Sequence, residues 1–176
     1  MIHALFAVDK FGGMGFNGTL PWPHHPEDMS HFKNLTTGHV VVMGRNTWDD
    51  PKMPKPLFGR TVYVATNRNL TESAGAKTIS GDIKAQLLAL EAKHPDKIIW
   101  VIGGPALLEQ CGDMLDMMYL THHKKSYKID SRVDLKTFLS GWTMHTATSA
   151  PNTNCAFVSY VPIFKRAKTN PGDRKD

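Results

Sequence analysis

In two places this chain runs a compact apolar segment through glycine into the start of a helix, and these junctions constrain the fold more than any other feature. They are Val42-Met43-Gly44-Arg45-Asn46-Thr47 and Val101-Ile102-Gly103-Gly104-Pro105. The runs leading into them, Val40 to Met43 and Ile98 to Ile102, are continuous and rich in β-branched residues. That is the pattern of strands buried on both faces of a parallel sheet. Ile2 to Val8, Thr61 to Thr66 and Met117 to Thr121 read as further strands. Helical patterns alternate with them. One opens at Pro26, a short one covers Arg45 to Trp48, and one follows the cap Ser80-Gly81-Asp82 with an Ile83, Leu87, Leu90 stripe. That helix ends at His94-Pro95, and another carries Ala106, Leu107, Leu108 and Cys111. Trp142 to Ala147 and Ala156 to Ile163, joined by the turn-rich residues 150–154, read as an antiparallel hairpin. The expected fold is α/β: a single domain with a mainly parallel central sheet flanked by helices and a C-terminal antiparallel hairpin.

Composition narrows the class without naming a function. The 176 residues suit one domain with a sizeable core. The net charge of +5 invites a nucleic-acid reading, but five of the 21 Lys and Arg fall in residues 165–176. The body, residues 1–164, is expected to be the domain, with 165–176 a basic disordered tail. A mildly basic body suits an anionic small ligand better than nucleic acid. Two cysteines, Cys111 and Cys155, make no disulfide framework, and a reducing cytoplasm fits best. Ile2 to Val8 follows no basic segment and reads as a first strand, not a signal peptide, and no apolar run approaches membrane-spanning length.

Three features point to chemistry. The first is Leu20-Pro21-Trp22-Pro23-His24-His25-Pro26-Glu27-Asp28-Met29. Pro26 opens a helix because a first-turn residue needs no N–H. Helical spacing then places Asp28 beside Phe32 and Leu35, next to Met29, and burial there would favour the protonated carboxyl of a group that shares a proton with a ligand. Glu27 is the rival, on a less apolar azimuth. The competing reading is a solvated first-turn acid favoured by the helix dipole. The second feature is the pair of strand-glycine-helix junctions, whose free N–H groups suit phosphates at the sheet's carboxyl edge, with Arg45 and Arg68 near a further phosphate. The third is Gly12 to Gly18, four glycines in seven positions with Met14 and Phe16, a lid candidate. No G-x-G-x-x-G is present, so an ordinary NAD-type Rossmann reading is weak.

Taken together, Gly13-Met14-Gly15-Phe16-Asn17-Gly18-Thr19-Leu20-Pro21-Trp22, Asp28 with Phe32-Lys33, Val42 to Trp48, Leu57-Phe58-Gly59-Arg60, Val101-Ile102-Gly103-Gly104 and Tyr119-Leu120-Thr121 resemble dihydrofolate reductase in order and spacing. The resemblance spans about residues 1 to 163. It implies an eight-stranded, mainly parallel sheet and NADPH-dependent reduction of 7,8-dihydrofolate to tetrahydrofolate in a cytoplasmic monomer open to antifolates.

It also implies roles. Asp28 would hydrogen-bond the pterin and promote protonation at N5, Thr121 would bond that carboxylate, and Trp22 would hold a nearby water. Leu5, Met29, Phe32, Leu57 and Ile102 would line the substrate pocket, and Arg60 would take the glutamate α-carboxylate. Ala7, Met14, Gly15, Asn17, Thr19 and Leu20 would surround the nicotinamide end of NADPH. Gly44, Arg45, Asn46, Thr47, Thr66, Asn67, Arg68, Ile102, Gly103, Gly104, Pro105, Ala106 and Leu107 would hold the rest, with a cis peptide joining Gly103 and Gly104. Ala106 stands where many relatives have arginine, leaving Arg45, Asn67 and Arg68 for the 2′-phosphate.

Other features receive structural readings. His24-His25 and His122-His123 lack the carboxylate or cysteine spacing of a metal site and read as surface or partner-satisfied histidines. Two other functions remain conceivable from the sequence: a pyrimidine reductase of the same fold, and a non-catalytic folate- or nucleotide-binding module.

Overall fold

The computed structural model describes residues 1–70, 73–149 and 154–164. The tail read at 165–176 and most of the turn read at 150–154 lie outside these residues. Strand β1 (Ile2–Val8) is central, followed by β2 (Gly13–Gly15), α1 (Pro26–Thr36), β3 (Val40–Gly44), α2 (Arg45–Asp49), β4 (Thr61–Ala65) and β5 (Lys77–Ile79). Then come α3 (Ile83–Lys93), β6 (Ile99–Val101), α4 (Pro105–Cys111), β7 (Met117–His123), β8 (Ser131–Arg132), α5 (Leu135–Phe138), β9 (Trp142–Ser149) and β10 (Cys155–Pro162).

Eight strands form one sheet in the order β5-β4-β3-β6-β1-β7-β10-β9. The six from β5 to β7 run parallel, and β10 and β9 add antiparallel pairings at one edge. The continuous Val and Ile runs are explained by the burial of both faces. On one face Ile2, Ala4, Phe6, Val40, Val42, Val101 and Leu120 pack with the α3 stripe Ile83, Leu87, Leu90 and with Leu107, Leu108 and Cys111 of α4. On the other, Leu5, Val41, Met43, Val62, Val64 and Trp100 pack with Trp48 and Leu57. No helix among the described residues is long and apolar enough to cross a membrane.

Helix α1 lies over this second face, with Phe32 and Leu35 packed against it. Its inner side is only half covered: Asp28, Met29, Phe32 and Leu35 are half-buried, and Thr36 alone is buried. Asp82 caps α3 through the N–H groups of Lys84 and Ala85, as the cap reading expects. Strands β5 and β8 have no counterpart in the sequence reading. The expected strand over 98–102 is shorter, Ile99–Val101, although Ile102 N–H continues the parallel ladder by bonding Val42 O at 3.0 Å.

Candidate active site

Both strand-glycine-helix junctions open into one cleft of about 770 Å³ at the carboxyl edge of the parallel strands. Gly44 precedes α2 and Gly104 precedes α4, and neither helix start carries a side-chain cap. The two junctions are tied together, Gly44 N–H donating to Gly103 O at 2.8 Å. The Gly103-Gly104 peptide is cis, and Gly103 has φ +112°, a conformation that strains any side chain. Ala7, Met14, Gly15, Thr19 and Leu20 line the cleft with Gly44, Arg45, Asn46, Thr47, Thr66, Asn67, Ile102, Gly104, Pro105, Ala106 and Leu107. Of the residues expected there, Asn17, Arg68 and Gly103 are not part of the lining. Arg45 is already engaged, its Nε donating to Asp49 at 2.7 Å and its Nη1 to Asn69 O at 3.0 Å.

The glycine-rich segment is less free than its composition suggests. Gly13–Gly15 pairs with Ser131–Arg132, Gly15 O accepts from Asp130 N–H at 3.0 Å, and Asn17 N–H donates to Asp130 Oδ2 at 2.9 Å. Asp9 anchors the segment from below. It is buried, and its carboxylate accepts from the N–H groups of Phe11, Gly13 and Tyr127 at 2.8 to 3.0 Å. Burial pushes its proton affinity up, but these bonds and Arg132 outweigh burial, holding it below the ordinary carboxylate value.

Asp28 sits in the first turn of α1, where its Oδ1 accepts from Thr121 Oγ1 at 2.6 Å. Thr121 is buried on β7, directly opposite Ala7 of β1 in the parallel register. Because Ala7 also lines the cleft, the carboxylate stands beside the cleft wall. Trp22 is buried and stacks on His123, with ring centroids 4.1 Å apart and an interplanar angle of 24°. His31 stacks on Phe157; burial lowers its proton affinity while the charge of Asp28 raises it. Farther along, the Arg60 guanidinium lies 5.8 Å over the Phe32 ring, with Nη1 donating to Thr36 Oγ1 and Nε to Phe58 O. Burial draws Arg60 below the ordinary guanidinium value.

A family model described as dihydrofolate reductase matches residues 1–161. This chain belongs to the dihydrofolate reductase family. It is an oxidoreductase of that type, reducing dihydrofolate. The dihydrofolate reductase type 9 of Escherichia coli is 32% identical over 173 residues, covering 96% of this chain and 88% of that protein. The type 8 enzyme of Escherichia coli is 36% identical over 140 residues, covering 76% and 80% respectively. A solved dihydrofolate reductase from Enterococcus faecalis, complexed with NADP(H) and RAB-propyl, shares the fold with a TM-score of 0.73 at 22% identity. The likeness covers 92% of this chain and 96% of that one.

In this reductase the expected site residues fall into two neighbourhoods. The cleft gathers most of those expected around the cofactor, and Ile102 belongs to both groups. Leu5, Phe32, Leu57 and Ile102 pack together under α1, with Asp28 and Met29 at one end of that helix and Arg60 near the other. Trp22 meets His123 and Tyr127, and no hydrogen bond joins it to Asp28 among the described residues. The sequence reading missed Ser80, Gly81, Gln110, Asp130 and Ser131, all of which line the cleft. Ser80-Gly81 was visible only as a helix cap, and the Asp130-Ser131 segment carries no apolar period.

Proposed function

We propose that this reductase converts 7,8-dihydrofolate to 5,6,7,8-tetrahydrofolate with NADPH, and that Asp28 grips the pterin and promotes protonation at N5. The observation that carries the reading is the 2.6 Å bond from Thr121 to Asp28, made opposite Ala7 of the cleft wall. It fixes one carboxylate oxygen and leaves the other for the pterin's amino and N3 groups, while water admitted at the site delivers the proton. Trp22, buried nearby, is proposed to order that water.

The cleft residues fit a phosphorylated dinucleotide. The two uncapped helix starts meet at backbone that no side chain crowds, and the volume suits an extended ligand. When bound, NADPH supplies a hydride from its nicotinamide ring. Ala7, Met14, Leu20 and Ile102 form an apolar wall that excludes water from that end. Gly44, Asn46, Thr47 and the Gly103-Gly104-Pro105 turn with Ala106 and Leu107 hold the phosphates, and Gly15, Asn17 and Thr19 close over them. Thr66, Asn67, Arg68 and the free side of Arg45 take the 2′-phosphate. Leu5, Met29, Phe32, Leu57 and Ile102 surround the pterin and aminobenzoyl rings, and Arg60 keeps Nη2 for the glutamate α-carboxylate. Antifolates that present the same donor pattern compete at Asp28. The protein acts as a cytoplasmic monomer without nucleic-acid or membrane partners, a reading that the buried positions of the two cysteines, Cys111 and Cys155, suit.

Purified protein should oxidise NADPH only when dihydrofolate is added. Asp28→Asn should keep NADPH affinity while turnover falls about 100-fold near neutral pH, recovering in part on acidification. Oxidation without dihydrofolate, or a variant pH profile matching the parent's, overturns the assignment.

A further inference from the structure

Histidines surround the Asp28 turn, and the chemistry above uses none of them. His25 immediately precedes α1 and closes its N-terminus, its Nδ1 accepting the Asp28 N–H at 3.4 Å. Serine, threonine, aspartate or asparagine usually fills that place. The far side of the ring is held as well: Nε2 lies 3.6 Å from Cys155 Sγ on β10, and the ring stands edge-on to His123 at 5.5 Å and 85°. His123 in turn lies flat on Trp22, with Tyr127 against its edge.

The register of β7 explains this convergence. Side chains two apart on a strand leave the same face, so Thr121 and His123 project together. Cys155 of β10 is the antiparallel partner of His123. Successive same-face positions of one strand therefore meet both Asp28, through Thr121, and Trp22, through His123. His123 is 2% exposed, and its Nε2 has no hydrogen-bond partner among the described residues. At that atom the ring is fixed by stacking, not by a hydrogen bond.

We propose that His25 and His123 form a positioning pair, His25 fixing the backbone of Asp28 as a helix cap and His123 holding the Trp22 indole in register with Thr121. The inference rests on the Asp28 assignment above. Imidazole suits both places for a stated reason. Nδ1 of His25 can accept the Asp28 N–H only while it carries no proton, which leaves Nε2–H to point at the thiol. Asparagine could cap the turn but could not also reach Cys155 and His123. Glu27 Oε2 lies 3.3 Å from the same Nδ1, on the edge of the ring that faces the helix start. Around His123 the opposing influences are burial and His25, which lower its proton affinity, and the carboxylates of Asp28 and Asp9, which raise it. The net direction is downward, keeping the ring neutral, and a neutral ring stacks on buried indole without desolvating a charge.

The test compares His25→Ala, His25→Asn, His123→Ala and His123→Phe for single-turnover hydride transfer across pH, ligand affinities and tryptophan emission. His25→Ala should slow hydride transfer about five-fold, the worth of one cap, with NADPH affinity unchanged because His25 lies outside the cleft. His25→Asn should restore most of that rate. His123→Ala should shift the emission of Trp22, a change absent in a Trp22→Phe background, and His123→Phe should restore both rate and emission. Lowered thermal stability with an unchanged hydride rate, or an asparagine variant no better than alanine, overturns the proposal. If His123→Ala does not fold, the His25 pair decides alone. The two readings fail separately: an unchanged pH profile in Asp28→Asn rejects the catalytic assignment. A normal Asp28→Asn response with silent His25 variants rejects only the positioning pair.

Discussion

Replacing Thr121 by valine would remove one oxygen and keep the shape of the side chain. Thr121 is buried, so valine fills the same volume, and what is lost is the 2.6 Å donation to Asp28 Oδ1. A short hydroxyl bond to a carboxylate is charge-assisted and contributes about 1.5–3 kcal/mol net. Asp28 is half-buried, which places the loss near the lower end, about 1.5 kcal/mol. That energy is about a ten-fold change in a rate or an equilibrium. Without the donor the carboxylate is less firmly placed against the substrate, and hydride transfer should slow by about ten-fold. Dihydrofolate affinity should fall roughly ten-fold, because the carboxylate loses one of its fixed supports. NADPH affinity should not change, since Thr121 does not line the cleft. Stopped-flow hydride transfer across pH, with equilibrium titrations of each ligand, reads all three quantities. A hydride-transfer rate and a dihydrofolate affinity equal to the parent's would refute the claim that this bond places Asp28.

Other perturbations separate the remaining parts of the site. Arg60→Lys keeps the charge but loses the planar fork that rests on Phe32, so the KM for dihydrofolate should rise about ten-fold or more with kcat little changed, measured by steady-state kinetics. Asp9→Asn replaces an acceptor-only group that three N–H donors face, and should cost about 2–3 kcal/mol in urea melts. The folded-state pKa of Asp9 is depressed, so its ionisation contributes stability that is fully present above the unfolded value of about 3.9 and is lost as pH falls through the folded value. The stability gap between parent and Asp9→Asn should therefore be constant near neutrality and narrow below about pH 4. Asp130→Ala removes the acceptor of the Asn17 N–H and should weaken NADPH about three- to ten-fold by equilibrium titration, without altering the melting temperature of the free protein.

What could be read from residues alone follows how much of each signal is periodic. The β-branched runs at Val40 and Ile99 announce their strands because burial on both faces demands unbroken apolar sequence. Lys77–Ile79 and Ser131–Arg132 become strands only because a neighbour offers a ladder, and three or two residues carry no period to detect. The start of α1 was legible from Pro26, but its cap was not, since an imidazole rarely serves there. The glycine junctions marked the cleft, whereas Gln110 and Ser80 reach it from a helix side and a loop, where nothing in their spacing distinguishes them from surface residues. Arg45 has the right type for a phosphate, yet Asp49 one turn later and a carbonyl from Asn69 occupy part of its fork, a competition visible only in three dimensions. At Gly12 to Gly18 composition shows the glycines, but not that Asp9 and Asp130 hold the N–H groups of Gly13 and Asn17.

The partly covered inner side of α1 has one more implication. Met29, Phe32 and Leu35 carry apolar surface that the polypeptide by itself leaves unfinished, so a flat aromatic guest completes the packing that an ordinary helix would obtain from its own chain. Occupancy should then harden this helix more than any other, and the protein's resistance to heat or proteolysis becomes a gauge of how full it is.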